Sequence, residues 1–173
     1  MRKDARSGKV LSLHPNTCGL YCFEGLSSQH PEGVAMKISW TDQNTVKKYV
    51  NKSPFYKTIS MKMISTGREG SVVRVKSGQK HKNLWGTIHG GVIASLTDST
   101  CGISVLPSLE DGESIVTTSL QVHYFAPTDV GELTAHGTMV HRSGRLAHAE
   151  ARIFDERKKL IAKGSASFII VRK

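Results

Sequence analysis

Cysteine is scarce in this chain. Cys18, Cys22 and Cys101 are the only three in 173 residues, too few and too unevenly spaced for a disulfide framework. Long apolar runs are missing as well: nothing approaches the roughly 18 consecutive apolar residues that a membrane-spanning helix requires. The basic residues of Met1-Arg2-Lys3-Asp4-Ala5-Arg6 have no apolar stretch behind them. The pattern of a secretory signal is therefore absent, and a cytoplasmic protein is expected. Aromatics are few, and no internal repeat or low-complexity tract stands out. What remains is the composition of one globular domain, long enough to bury a core without metal or disulfide staples.

Negative charge is the other shortage. Fourteen Asp and Glu face 24 Lys and Arg, for a net charge of +10, which asks for an anionic partner or serves plain solubility. The basic residues are spread over the N-terminal arm, Lys47-Lys48, Lys80–Lys82, Arg142/Arg145, Arg157-Lys158-Lys159 and Arg172-Lys173. They form no single block interleaved with aromatics, so no nucleic-acid partner is expected, and no membrane partner either. A small molecule carrying several phosphates fits the scatter equally well. His14, Cys18, Cys22 and His30 place four soft ligands in one short segment. Their spacing matches no usual zinc pattern, so no metal is expected, with metal binding by this arm kept as the alternative on ligand type alone.

Residues 1–40 read as an irregular arm with a short strand at Val34–Trp40, ahead of one domain over residues 41–173. Asp42 is placed to cap a helix through Tyr49, ended near Ser53-Pro54 because the residue before proline resists the helical region. Tyr56–Thr66 and Ser71–Ser77 read as a hairpin about Gly67-Arg68-Glu69-Gly70. Gly90–Leu106 is the one long helix. At about 100° per residue, Ile93, Leu96, Thr100 and Ile103, flanked by Val92, form an apolar side. Gly91, Ala94, Ser95, Asp98 and Gly102, with Cys101 and Val105 at the edges, form a stripe of small residues around one acid. Cys101 itself is most simply a packing residue. Ser114–Ala126, Glu132–His141, Arg145–Asp155 and Leu160–Val171 each alternate like strands, separated by turn signals. The expected fold class is α+β, a long helix packed on one curved antiparallel sheet.

Between Glu69 and Glu110 the single carboxylate is Asp98. It closes the constellation Asn83-x5-His89-Gly90-Gly91-x6-Asp98. These residues resemble those of the hotdog-fold thioesterases of the PaaI type. The resemblance runs from about Lys47 to Val171. It continues through Tyr124-Phe125-Ala126-Pro127, the turn Ser143-Gly144-Arg145 and the last strand at Ala166-Ser167-Phe168. Cys22-Phe23-Glu24-Gly25 through Pro31-Glu32-Gly33 also resembles a lead-in of some members, although Gly25 and His30 depart from its Cys and Asn.

Hydrolysis of an activated carbonyl needs a stabilised oxyanion and an activated water. A helix that starts with two glycines offers accessible N–H groups at its positive end, so Gly91, with Gly90, is the expected oxyanion donor. Asp98 is the expected general base, or alternatively a nucleophile forming an anhydride. The seven residues between Gly91 and Asp98 span about 10 Å of helix, too far for one carbonyl to touch both. The site is therefore expected to be shared between two antiparallel helices of an obligate homodimer, as the resemblance also implies, with a dimer of dimers to follow. The resemblance gives Asn83 a role at the substrate carbonyl or in holding the loop, against plain turn formation. It also gives Thr117 a role in orienting the water beside Asp98. His89 is expected to fix the loop rather than to act as acid or base. Coenzyme A is the implied leaving group, with Arg142 and Arg145 in the corresponding phosphate-binding region, and no cofactor beyond the CoA of the substrate. An acidic acyl carrier protein is also compatible with the charge. The rival readings are a hydroxyacyl-thioester dehydratase, for which a second polar partner to the histidine is missing, and a non-catalytic acyl-CoA-binding regulatory protein.

Overall fold

The computed structural model describes residues 39–129 and 131–172. Most of the expected arm, including the body of the Val34–Trp40 strand and His14, Cys18, Cys22 and His30, lies outside the described residues. Ser39 and Trp40 are described and are not in a strand.

Helix α1 (Gln43–Val50) begins as expected at Asp42, whose carboxylate accepts from Asn44 N at 3.1 Å. Its last turn carries Lys47 and Lys48, cations at the negative end of the dipole. Asn51 then ties the helix to the sheet: its Oδ1 accepts from Met63 N at 2.8 Å and its Nδ2 donates to Met63 O at 3.1 Å. The expected strand from Tyr56 is corrected here. Pro54 opens a second short helix, α2 (Pro54–Thr58), because its locked φ suits the first helical position and its missing N–H costs nothing there. Ser60, at φ 53°, turns the chain, and strand β1 (Met61–Gly67) starts after it.

Strand β2 (Gly70–Lys76) closes a tight hairpin in which Gly67 pairs with Gly70. Helix α3 runs Gly90–Val105, followed by β3 (Glu113–Tyr124), β4 (Glu132–Ser143), β5 (Leu146–Phe154) and β6 (Leu160–Arg172). The six strands form one antiparallel sheet in the order β1-β2-β4-β5-β6-β3.

Two glycines let α3 lie directly on the middle of this sheet. A Cβ at Gly137 would come within 2.7 Å of Thr100 Cγ2 and 2.8 Å of Thr100 O, and one at Gly164 within 2.6 Å of Thr97 Cγ2. Sheet hydroxyls complete the seating: Ser71 Oγ donates to Thr100 O at 2.8 Å and Thr66 Oγ1 to Ile103 O at 3.0 Å. The core beneath holds Leu96, Met63, Val73, Leu133, Ile153 and Phe168.

The two faces expected for α3 hold only in its first half. Gly91, Ala94, Ser95 and Asp98 keep access to solvent, but Cys101, Gly102 and Val105 are buried. Gly102 faces Ile115 and Phe168, with room for a Cβ at 3.4 and 3.6 Å, so β3 and β6 cover that end of the small-residue stripe. The other side of β3 has no partner among the described residues. This edge exposes Val116 (53%), Tyr124 (52%) and Phe125 (57%), an apolar edge of the kind that soluble proteins cover.

Candidate active site

Asp98 sits midway along α3, half-buried, where Thr117 Oγ1 of β3 donates to its Oδ1 at 3.0 Å. Removal from water pushes its carboxyl above the ordinary aspartate range, and the Thr117 hydrogen bond opposes that rise. Asp98 and Thr117 line a cavity of about 600 Å³ whose other walls include Trp40, Tyr56, Ile103, Leu106, Ile115 and Phe168. Tyr56 is buried beside the acid. Burial pushes its hydroxyl up to about 12, against the Ser99 hydrogen bond, and the nearby Asp98 charge adds to the rise.

The helix start is a separate construction. His89 is the N-cap of α3, and its Nδ1 accepts from Gly91 N at 2.9 Å, as a capping side chain does for the second helical N–H. The ring thereby closes the first turn of the helix. A Cβ at Gly91 would stand 3.0 Å from that Nδ1, so a larger residue would displace the ring. Gly91, the expected oxyanion donor, has its N–H directed to His89. Gly90 N–H has no acceptor among the described residues, and it is the open donor of this helix end. Tyr124 Oη donates to Gly90 O at 3.1 Å, which links the end of β3 to the same turn.

The Asn83 amide is spent on its own loop. Its Oδ1 accepts from Trp85 N at 3.0 Å and Thr87 N at 3.2 Å, while Nδ2 donates to Thr87 Oγ1 at 2.8 Å. These bonds close the turn from Asn83 to Thr87. His81, which no pattern in the sequence singled out, anchors the base. It is buried, its Nδ1 accepts from Gly78 N at 2.9 Å, its Nε2 lies 3.0 Å from Ile59 O, and its carbonyl accepts from His89 N at 2.8 Å. Lys82, Asn83, Trp85, His89 and Gly90 line a second depression of about 480 Å³. Within one chain the acid and the helix start therefore belong to different cavities.

Arg142, expected at the CoA phosphates, is engaged within the chain. Its Nη2 pairs with Glu113 Oε2 at 3.0 Å, with both side chains largely covered. The Glu113 carboxyl is also 3.6 Å from Arg172, and it lies below the usual carboxylate range through the Glu110 backbone hydrogen bond and then Arg142 and Arg172. Arg145 uses Nε on Ile170 O at 3.2 Å, which leaves its terminal nitrogens exposed at the turn. Among the described residues, no group of three or more His, Cys, Asp or Glu is placed to hold a metal. No described helix is long and apolar enough to cross a membrane.

Comparison with known proteins agrees with this architecture. The family model of the Thioesterase superfamily matches residues 86–162, from the helix-start loop into β6. The chain is 30% identical to acyl-coenzyme A thioesterase 13 of Mus musculus over 69% of its own length and 87% of that relative's. A thioesterase from Haemophilus influenzae superimposes with a TM-score of 0.71 at 16% identity, covering 79% of this chain and 94% of the other. A Bacillus halodurans protein solved with CoA gives a TM-score of 0.56 at 31% identity, over 57% and 70% of the two chains. The motif, the fold and these likenesses agree, and the chain belongs to the thioesterase superfamily as a hotdog-fold thioester hydrolase.

Proposed function

We propose that this protein, of the PaaI type, hydrolyses acyl-CoA thioesters to the free acid and CoA. The observation that carries this reading is the Asp98–Thr117 pair at the wall of an apolar cavity, a carboxylate beside a place for an acyl group. Asp98 takes a proton from water as the oxygen attacks the thioester carbonyl. The tetrahedral oxyanion is held by the helix-start N–H of Gly90, joined by Gly91 when the His89 ring turns away. Collapse expels the CoA thiolate, which regains the proton from Asp98. Direct attack by Asp98, giving a mixed anhydride that water then opens, uses the same groups.

The two halves of the site meet across a homodimer. On β3, Thr117 marks the acid and Tyr124 marks the helix start. Antiparallel pairing of two β3 edges about a twofold axis between Leu120 and Gln121 sets Thr117 of one copy opposite Tyr124 of the other. Asp98 then faces the second copy's Gly90, and the exposed apolar edge is covered. A dimer of dimers is the proposed assembly. Cations such as the exposed Arg145 and the half-buried Lys82 are left to meet the CoA phosphates, or the acidic surface of an acyl carrier protein.

The test is steady-state release of free CoA from aryl and short-to-medium acyl-CoAs. Wild type should turn over. Asp98→Asn, folded and dimeric, should lose roughly 100- to 10,000-fold in turnover. Tight acyl-CoA binding with no turnover by wild type would instead establish a regulatory binder.

A further inference from the structure

The cavity beside Asp98 has a direction. One wall is Asp98, Ser99, Gly102 and Ile103 of α3, continued by Leu106 just past its end. From Asp98 to Leu106, the αR C-cap of the helix, the chain advances about 12 Å. Strand β3 runs alongside: Thr117 meets Asp98, Ile115 lies against Gly102, and the Glu113 carbonyl accepts from Trp40 Nε1 at 3.2 Å. The acid is therefore at one end of a channel between α3 and β3, and Trp40 is at the other. Trp40 is held there, because Arg142 and Arg172 brace the Glu113 side chain of the residue it is bonded to.

We infer that this channel holds an extended, unbranched medium-chain acyl group, with Trp40 as its end wall and Gly102 as the residue that keeps its middle open. This rests on the thioesterase reading and names its substrate. Each carbon of an extended chain advances about 1.3 Å, from a single-bond length near 1.5 Å, so 12 Å takes about eight to ten carbons. Glycine inside a helix costs about 1 kcal/mol relative to alanine. At Gly102 the fold does not require that cost, since a Cβ would make ordinary contact with Ile115 Cδ1 at 3.4 Å and Phe168 Cε1 at 3.6 Å. The space belongs to the channel, one helical turn beyond the acid.

The experiment is kcat/KM over straight-chain acyl-CoAs from butyryl to palmitoyl. Wild type should peak at about eight to ten carbons, the length the helix rise sets. Gly102→Ala should keep or raise the melting temperature while the decanoyl-to-butyryl ratio falls about tenfold, the scale on which a pocket discriminates a methylene. Trp40→Ala should extend the upper limit to longer chains. Turnover with a length profile unchanged in Gly102→Ala would overturn the channel and leave the thioesterase standing. No turnover with any acyl-CoA would overturn both.

Discussion

At the scale of residues, Asp98 works under two opposed influences. Burial lifts its carboxyl and the Thr117 hydroxyl lowers it. The proposed role as base requires the ionised form, so kcat/KM should rise with pH through an acid limb lying above the ordinary aspartate range. Thr117→Val removes the lowering contact and should move that limb to still higher pH, whereas a hydroxyl that only supports strand packing would leave the profile in place. The linkage to stability has the opposite sense. A carboxyl whose folded pKa is raised holds its proton longer when folded, so its contribution is present below the unfolded pKa and is lost as pH rises through the folded one. The helix start admits an equally narrow change. Gly90→Pro deletes one N–H at a first helical position, where proline is well tolerated, and His89 already has the extended backbone that precedes proline. Turnover should fall roughly 100- to 1000-fold with the helix intact, as measured by CoA release beside circular dichroism. The placing of Asp98 and Gly90-Gly91 on one helix was legible from its period, while the roles proposed for them come from the motif's resemblance to the thioesterases. The bond from Gly91 N–H to the His89 ring and the Glu113 partner of Arg142 were not legible. Each depends on where a side chain points or on a contact made far away along the chain.

At the scale of elements, the order of strands and the long helix follow from alternation and period, and the structure keeps their boundaries to within a few residues. The exception is Tyr56–Thr58, where an apolar run beginning near Pro54 is compatible with a helical turn or a strand, and the proline decides it. The second half of α3 also escaped a two-face description, since β3 and β6 wrap onto it from outside its own periodicity. The contact that sets the height of α3 above the sheet is the meeting of Gly137 with Thr100. Gly137→Ala would place a carbon 2.8 Å from the Thr100 carbonyl as well as against its methyl. Backbone cannot yield as a side chain can. A loss of about 1–3 kcal/mol is expected, as for overpacked cores, read from urea unfolding midpoints. Thr100→Ser, which removes the methyl but leaves the carbonyl, should restore only part of it.

At the scale of the whole molecule, the acid and the helix start line different cavities of one chain, and the proposed dimer is what joins them. The unpaired β3 edge carries markers of both halves, Thr117 and Tyr124, about equally far from its centre. On that proposal, assembly and catalysis are one property. Leu120→Lys places like charges beside the proposed axis of an already basic protein, and should give a monomer by light scattering that releases no CoA. A stricter test uses two dead variants. Asp98→Asn retains its helix start, and Gly90→Pro retains its acid. Unfolding and refolding an equal mixture redistributes the subunits, so half of the twofold dimers should be hybrids. In each hybrid, one of the two shared sites combines an intact Asp98 with an intact Gly90, so about a quarter of wild-type activity should return, given random pairing in such dimers. A site contained within one chain would return none, because every chain in the mixture lacks one of its two parts.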